Sequence, residues 1–184
     1  MATTKHILVA LVEDKPGVLN RMASLFRRRG FNIESIAVGH SETPHLSRMT
    51  FVVNGAASEV EQVRKQLAKI VEVVKVSDIT GDNVITRELA FIKVKTSSAN
   101  RSEIIQIVDV FRANIVDVSP DSVIIEATGD EDKINSLFNL VRGFGIKEIA
   151  RTGCIAMTRG VSGPLPVMKA PPKTQAKGPK KANK

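Results

Sequence analysis

Residues 5–30, KHILVALVEDKPGVLNRMASLFRRRG, hold the reading on which the fold turns. The first eight are a short β-rich run. The pattern breaks at Glu13-Asp14-Lys15-Pro16-Gly17 and resumes with helical spacing. Over 18–29, Val18, Met22, Leu25 and Phe26 fall on one helical face. Gly30 predicts the end of that helix, because glycine accepts the backbone turn that closes one. A strand feeding an amphipathic helix through a short loop is the opening of a mixed α and β unit.

Outward from this stretch the elements continue in a fixed order. Two extended runs, 31–39 and 46–54, flank Ser41-Glu42-Thr43-Pro44, a turn sequence. Ser58-Glu59-Val60-Glu61 reads as a capping box opening a second helix, with Val60, Val63, Leu67 and Ile70 inward. Val71 to Ile79 closes the unit as βαββαβ. The order then repeats. Glu88 to Lys95 is a strand, and a helix follows from about Asn100 with Ile104, Val108 and Phe111 inward. Asn114 to Val118 and Val123 to Thr128 form a hairpin about Ser119-Pro120-Asp121. Asp130 caps a helix with Ile134, Leu137, Phe138 and Val141 inside. Lys147 to Met157 is the last strand, bent near Gly153. Phe26-Arg27…Asn32-Ile33 and Phe111-Arg112…Asn114-Ile115 echo each other at different spacing. Two such units, each about 75 residues, predict an α+β chain of two ferredoxin-like domains, 4–80 and 87–160, with a linker at 81–86.

Composition narrows the function classes. Residues 161–184 carry six Lys and five of the eight Pro, with no Asp, Glu or Arg. Such a segment predicts a disordered basic tail. The rest of the chain holds 21 basic and 19 acidic residues, so the formal charge of +8 belongs mostly to the tail. The tail could touch polyanions nonspecifically at low salt. An RNA-reading sheet displays aromatics on its central strands, and Phe51, Phe91, Lys93 and Lys95 match that poorly. No specific nucleic-acid partner is therefore expected. Cys154, the single cysteine, suits a reducing compartment. No apolar run approaches the roughly 20 residues of a membrane span, and no signal segment is visible at the N-terminus. A cytoplasmic protein with no membrane partner is the expectation.

The sharpest local feature is Asp14-Lys15-Pro16-Gly17-Val18. Pro16 suits the first turn of a helix because it has no N–H to leave unpaired. Gly17 lets another group approach the backbone. The free amides of the first helical turn favour an anion, for which a carboxylate is the natural small guest. Asp14 beside it could orient an ammonium group. Taken alone, the same Pro-Gly is an ordinary tight turn. The equivalent turn of the second unit, Thr96 to Asn100, has neither residue. Asn32, at the start of the second strand, offers both a donor and an acceptor, although an Asn there can also simply close a turn. His6, His40 and His45 lack ligand-spaced partners for a metal, and Cys154 lacks a base that would make it a nucleophile. Arg27-Arg28-Arg29 complements the dipole at the helix end.

The patterns V-E-D-K-P-G-V-L-N-R, L-F-R-R-R-G-F-N-I-E-S-I and L-S-R-M-T-F-V-V together resemble an ACT domain, and more narrowly the small regulatory subunit of acetohydroxyacid (acetolactate) synthase. R-E-L-A-F-I-K-V, S-E-I-I-Q-I-V-D-V-F-R-A-N-I-V-D-V and F-G-I-K-E-I-A-R-T-G resemble that subunit's C-terminal domain. The likeness spans about 4–160. It implies a homodimer through ACT domains that binds a feedback inhibitor, usually valine, at the dimer interface. Asp14, Gly17 and Val18 would form the loop wall, and Asn32 and Ile33 would complete the pocket from the neighbouring ACT domain. Val18 and Ile33 would offer branched apolar contacts, and leucine or isoleucine would be weaker effectors. The second domain would contact and activate a catalytic large subunit. Thiamine diphosphate, Mg and FAD would lie only in that subunit, leaving this chain with no cofactor and no catalytic residues. Some family members carry Asn in place of Asp14, and the family usually ends soon after the second domain, so the tail is a departure. Acylphosphatase-type hydrolases share the fold plan, but they need an Arg-bearing glycine-rich phosphate loop where this chain has D-K-P-G, and no Ser-His-Asp set is legible.

Overall fold

The computed structural model describes residues 4–160. The expected tail at 161–184 lies outside the described residues. The first domain runs β1 Thr4–Glu13, α1 Val18–Arg28, β2 Ile33–His40, β3 Leu46–Gly55, α2 Ala57–Leu67 and β4 Val73–Asp78. The second runs β5 Val84–Lys95, α3 Arg101–Val110, β6 Asn114–Val118, β7 Ser122–Gly129, α4 Glu131–Val141, a 3-10 turn Arg142–Phe144, β8 Ile146–Arg151 and β9 Ile155–Thr158. The sheets order as β2-β3-β1-β4 and β6-β7-β5-β8, with β9 added along β5. Each is the antiparallel sheet of a ferredoxin-like α+β domain with two helices on one face.

Helix α1 buries Val18, Met22, Leu25 and Phe26 against Leu8, Ala10 and Val12 of β1 and Phe51 of β3. The Phe26 and Phe51 rings lie 5.1 Å apart at a tilt, a favourable aromatic arrangement. Helix α2 starts at Ala57 rather than at the Ser58 box. Its cap is Ala56, which has no side-chain acceptor, so only the Glu59 half of the box exists, receiving the Ala56 amide at 3.3 Å. In the second domain Ile104, Val108, Ile134, Leu137 and Val141 are buried, while Phe138 is only half-buried and stands outside the core cluster.

The two units repeat to the level of irregularities. In β2 the pairing runs Ile33 to Val53 and then Ser35 to Val52, leaving Glu34 as a bulge. In β6 it runs Ile115 to Ile125 and then Asp117 to Ile124, leaving Val116. Gly30 (φ 73°) and Arg112 (φ 50°) close α1 and α3 with the same pair of bonds. Asn32 thus corresponds to Asn114. The Phe-Arg half of the sequence echo does not correspond, since Val108 takes the place of Phe26.

Residues 84–86 are not linker. They open β5, whose first four residues, Val84–Arg87, pair with β9 while the rest pairs with β7 and β8. Strands β8 and β9 are one strand bent at Gly153, whose φ of 84° suits glycine. The ribbon of β9 and the start of β5 lies over the helix-free face of the first sheet, burying Val9, Ile79 and Ala156 with Ile7 and Val84. Among the described residues no segment covers the helix-free face of the second sheet, where Phe91 and Val116 are exposed over a groove lined also by Ile124 and Ala150.

Candidate functional site

The 14–17 loop is pinned at its root, with the Glu13 amide on the Glu72 carbonyl and the Asp14 amide on the His45 carbonyl, both at 2.8 Å. Lys15 Nζ meets Glu13 Oε2 at 2.7 Å, and that contact raises the lysine's pKa. Lys15-Pro16-Gly17-Val18 then forms a turn in which the Val18 amide reaches back to the Lys15 carbonyl at 3.4 Å. Gly17 has φ 87° and ψ −13°, the third-position geometry of a type II turn, for which proline followed by glycine is the preferred pair. The turn therefore does demand its glycine. The second unit manages without one because its turn is of a different kind, closed by the Asn100 side chain accepting from the Ser97 amide at 2.7 Å. Pro16 sits two residues before the first helical residue, not in the first turn.

Gly17 is also the N-cap of α1, with no side-chain cap and no acidic residue in the first turn. The first amides of a helix have no intrahelical acceptor, so this end presents open donors. A Cβ built on Gly17 would meet nothing within 4 Å. Asp14 Oδ2 stands 3.3 Å from His40 Nδ1 at the end of β2, with both side chains open to solvent. The loop can hold a carboxylate at the helix start and a cation at Asp14. Val18 departs from its expected role: its side chain is only 3% exposed and packs in the core, because it occupies the inward position of α1. Only its backbone can face a ligand. Ile33 too leans on the core, partly buried, while Asn32 is exposed.

One chain does not bring the two halves together. Ile33 pairs with Val53 and His40 with Ser47, while Glu13 pairs with Leu46. Asn32 and Ile33 thus lie seven rungs of β3 from the loop, roughly 23 Å along the sheet at the usual rise. Strand β2 is an edge, so its outer side carries no partner strand among the described residues.

The fold assembles two features that the sequence hid. His6, 7% exposed, sits between Thr4 Oγ1 and Asp78 Oδ2, each at 3.0 Å. Burial opposes ionisation of Asp78, but bonds from the Thr80 hydroxyl and amide and from His6 outweigh it and hold the carboxyl below its usual range. This hydroxyl–imidazole–carboxylate line ties β1 to β4. The second feature is a cleft of about 410 Å³ between the domains, lined among others by Lys5, Ser35, Glu88, Arg151 and Cys154. Arg151 pairs with the buried Glu88 there, and Lys5 Nζ meets Glu131 Oε2 at 2.6 Å. Burial pushes the Cys154 thiol up, away from thiolate character. No group of three His, Cys, Asp or Glu gathers as a metal site among the described residues, and none of the described helices is long and apolar enough to cross a membrane.

Two four-stranded βαββαβ domains in tandem, the first with an open-capped loop at the start of α1, define a protein of the ACT-domain class. Residues 8–75 match the family of AHAS small subunit-like ACT domains, and residues 87–160 match the family described as the small subunit of acetolactate synthase. The chain belongs to the acetolactate synthase small-subunit family. A probable acetolactate synthase small subunit of Archaeoglobus fulgidus is 58% identical over 156 residues, covering 85% of this chain and 98% of that protein. The small subunit of Bacillus subtilis is 50% identical, covering 85% of this chain and 91% of the relative. The crystal structure of the Thermotoga maritima small subunit superposes with a TM-score of 0.79 at 45% identity, covering 86% of this chain and 99% of that one.

Proposed function

We propose that this chain is the regulatory subunit of an acetolactate synthase and senses a branched-chain amino acid, valine first, in a pocket built by two copies of itself. The carrying observation is the separation of Asp14–Val18 from Asn32–Ile33 along a sheet whose edge is β2. If two β2 edges pair antiparallel about a twofold axis, the start of each lies beside the end of the other. Asn32 and Ile33 of one copy then approach His40 of the second, and Asp14 is in contact with His40. The ligand carboxylate would take the open amides of α1, its ammonium Asp14, and Asn32 would close the far side. Ile33 supplies apolar contact as far as its partial burial allows.

The second domain, 87–160, meets the catalytic large subunit in this reading. Thiamine diphosphate, Mg and FAD belong to that partner, and the complex works in the cytoplasm. Effector binding lowers the partner's activity only if the ligand binds the two states of the complex with different affinity. Calorimetric titration of valine into the full chain and into Asn32→Ala tests the site. Loss of a hydrogen bond to a charged group, about 1.5–3 kcal/mol, predicts an affinity loss of roughly tenfold or more. Equal affinity in the two proteins would remove Asn32 from the pocket.

A further inference from the structure

Two segments that stand out in the sequence, N-I-E-S-I at 32–36 and L-S-R-M-T at 46–50, do more than border a pocket. The bulge at Glu34 changes the parity of β2, so that Ile33 and Ile36 both lean on the helix-side core. Ser35 is thereby turned to the opposite face, where the second domain lies. Its Oγ accepts the Cys154 amide at 2.7 Å. Gly153 passes so close that a Cβ there would stand 2.8 Å from the Ile36 carbonyl oxygen and 2.9 Å from Ser35 Oγ. From β3, Arg48 Nη2 donates to the Ala156 carbonyl at 2.8 Å. At the mouth of the cleft Lys5 stands between Glu34, at 3.6 Å, and Glu131 of the second domain, at 2.6 Å. Below these ties lies the apolar patch of Val9, Ile79 and Ala156.

Ser35 and Ile36, which meet the second domain, therefore follow Ile33 by two and three positions on one strand. Only the Glu34 bulge separates Ile33 from Ser35, so a contact made at Ile33 is one bulged residue away from the ties at Ser35 and Ile36. We propose that this seam, Ser35, Ile36 and Arg48 against residues 152–157, is the coupling element by which occupancy of the effector pocket sets the placement of the second domain. Coupling of this kind requires two states of the seam, the closed one seen here and one in which these ties are released. A ligand that binds more tightly with the seam closed must, by linkage, close it. The inference rests on the effector reading above.

Ser35→Ala in the full chain, with Arg48→Met as a second variant, tests it by two readouts. The first needs no effector. Amide exchange at Cys154 should speed up at least about tenfold in Ser35→Ala while the Ile92 and Val123 amides stay unchanged. Unaltered protection at Cys154 overturns the seam. For the second readout, both variants should bind valine within about fivefold of the parent, yet the valine response of the complex with the large subunit should fall to under about a fifth. Variants that bind valine and pass on the full response sink the proposal. A parent chain that takes up neither valine, leucine nor isoleucine overturns the effector reading and the coupling with it. The exchange result then distinguishes that failure from a missing seam.

Discussion

At the scale of single residues, Gly17 serves two purposes that pull a mutational test apart. Its φ of 87° is costly for any other residue, so a substitution there perturbs the turn whatever happens to a ligand. Asn32 is exposed, which makes it the cleaner probe. Val18 shows the opposite situation, since its place on the helical period commits the side chain to the core. Asp78 carries the clearest pH signature. Its folded carboxyl is held below the usual range, so its contribution is complete above the unfolded value, about 3.9, and is lost as pH falls through the folded value. Asp78→Asn should cost about 1 kcal/mol at pH 7, measured by urea unfolding. The gap to the parent should narrow steadily below about pH 4. A gap of constant size from pH 7 to pH 3 would show that the carboxylate plays no such part.

At the scale of elements, the two domains answer the same geometric demand with different residues. Helices α1 and α3 end in the same pair of bonds: the Phe31 amide to the Phe26 carbonyl and the Gly30 amide to Arg27, then the Ala113 amide to Val108 and the Arg112 amide to Asp109. This is the Schellman closure, and its left-handed position suits glycine. The second domain places Arg112 there at φ 50°. Arg112→Gly is expected to stabilise the chain by about 1 kcal/mol, seen as a higher urea midpoint at unchanged slope. A lower midpoint would mean that the arginine side chain contributes more than its backbone costs. The bulges at Glu34 and Val116 repeat likewise, but only the first aims a side chain, Ser35, at another domain.

At the scale of the whole molecule, the two helix-free sheet faces have different fates. The first is covered by the ribbon of β5 and β9, while the second keeps Phe91, Val116 and Ile124 in an open groove. The β2 edge of the first sheet also has no partner strand among the described residues, and Val38 on it is half exposed. A lysine in an edge strand discourages strand pairing between chains. Val38→Lys should keep the circular dichroism of the parent while weakening self-association at least about tenfold, since one desolvated charge at such a contact costs over 1.4 kcal/mol. Sedimentation measures this directly, and an unweakened dimer would move the interface away from β2.

The sequence by itself determined the element order, the inward faces of the four helices apart from Phe138, the bend at Gly153 and the loop at Asp14–Gly17. These rest on local periodicity and on turn chemistry, which neighbouring residues fix. It missed the pairing of Val84–Arg87 with β9 because those residues are short of any pattern until a distant strand is laid beside them. Tertiary structure alone decided that His6 lies between Thr4 and Asp78, and that the two halves of the proposed pocket stand at opposite ends of one sheet. It also decided that N-I-E-S-I and L-S-R-M-T carry the second domain. The physical reason is common to all of these: each depends on which residues meet across strands or between domains, and a one-residue bulge is enough to exchange the faces of a strand.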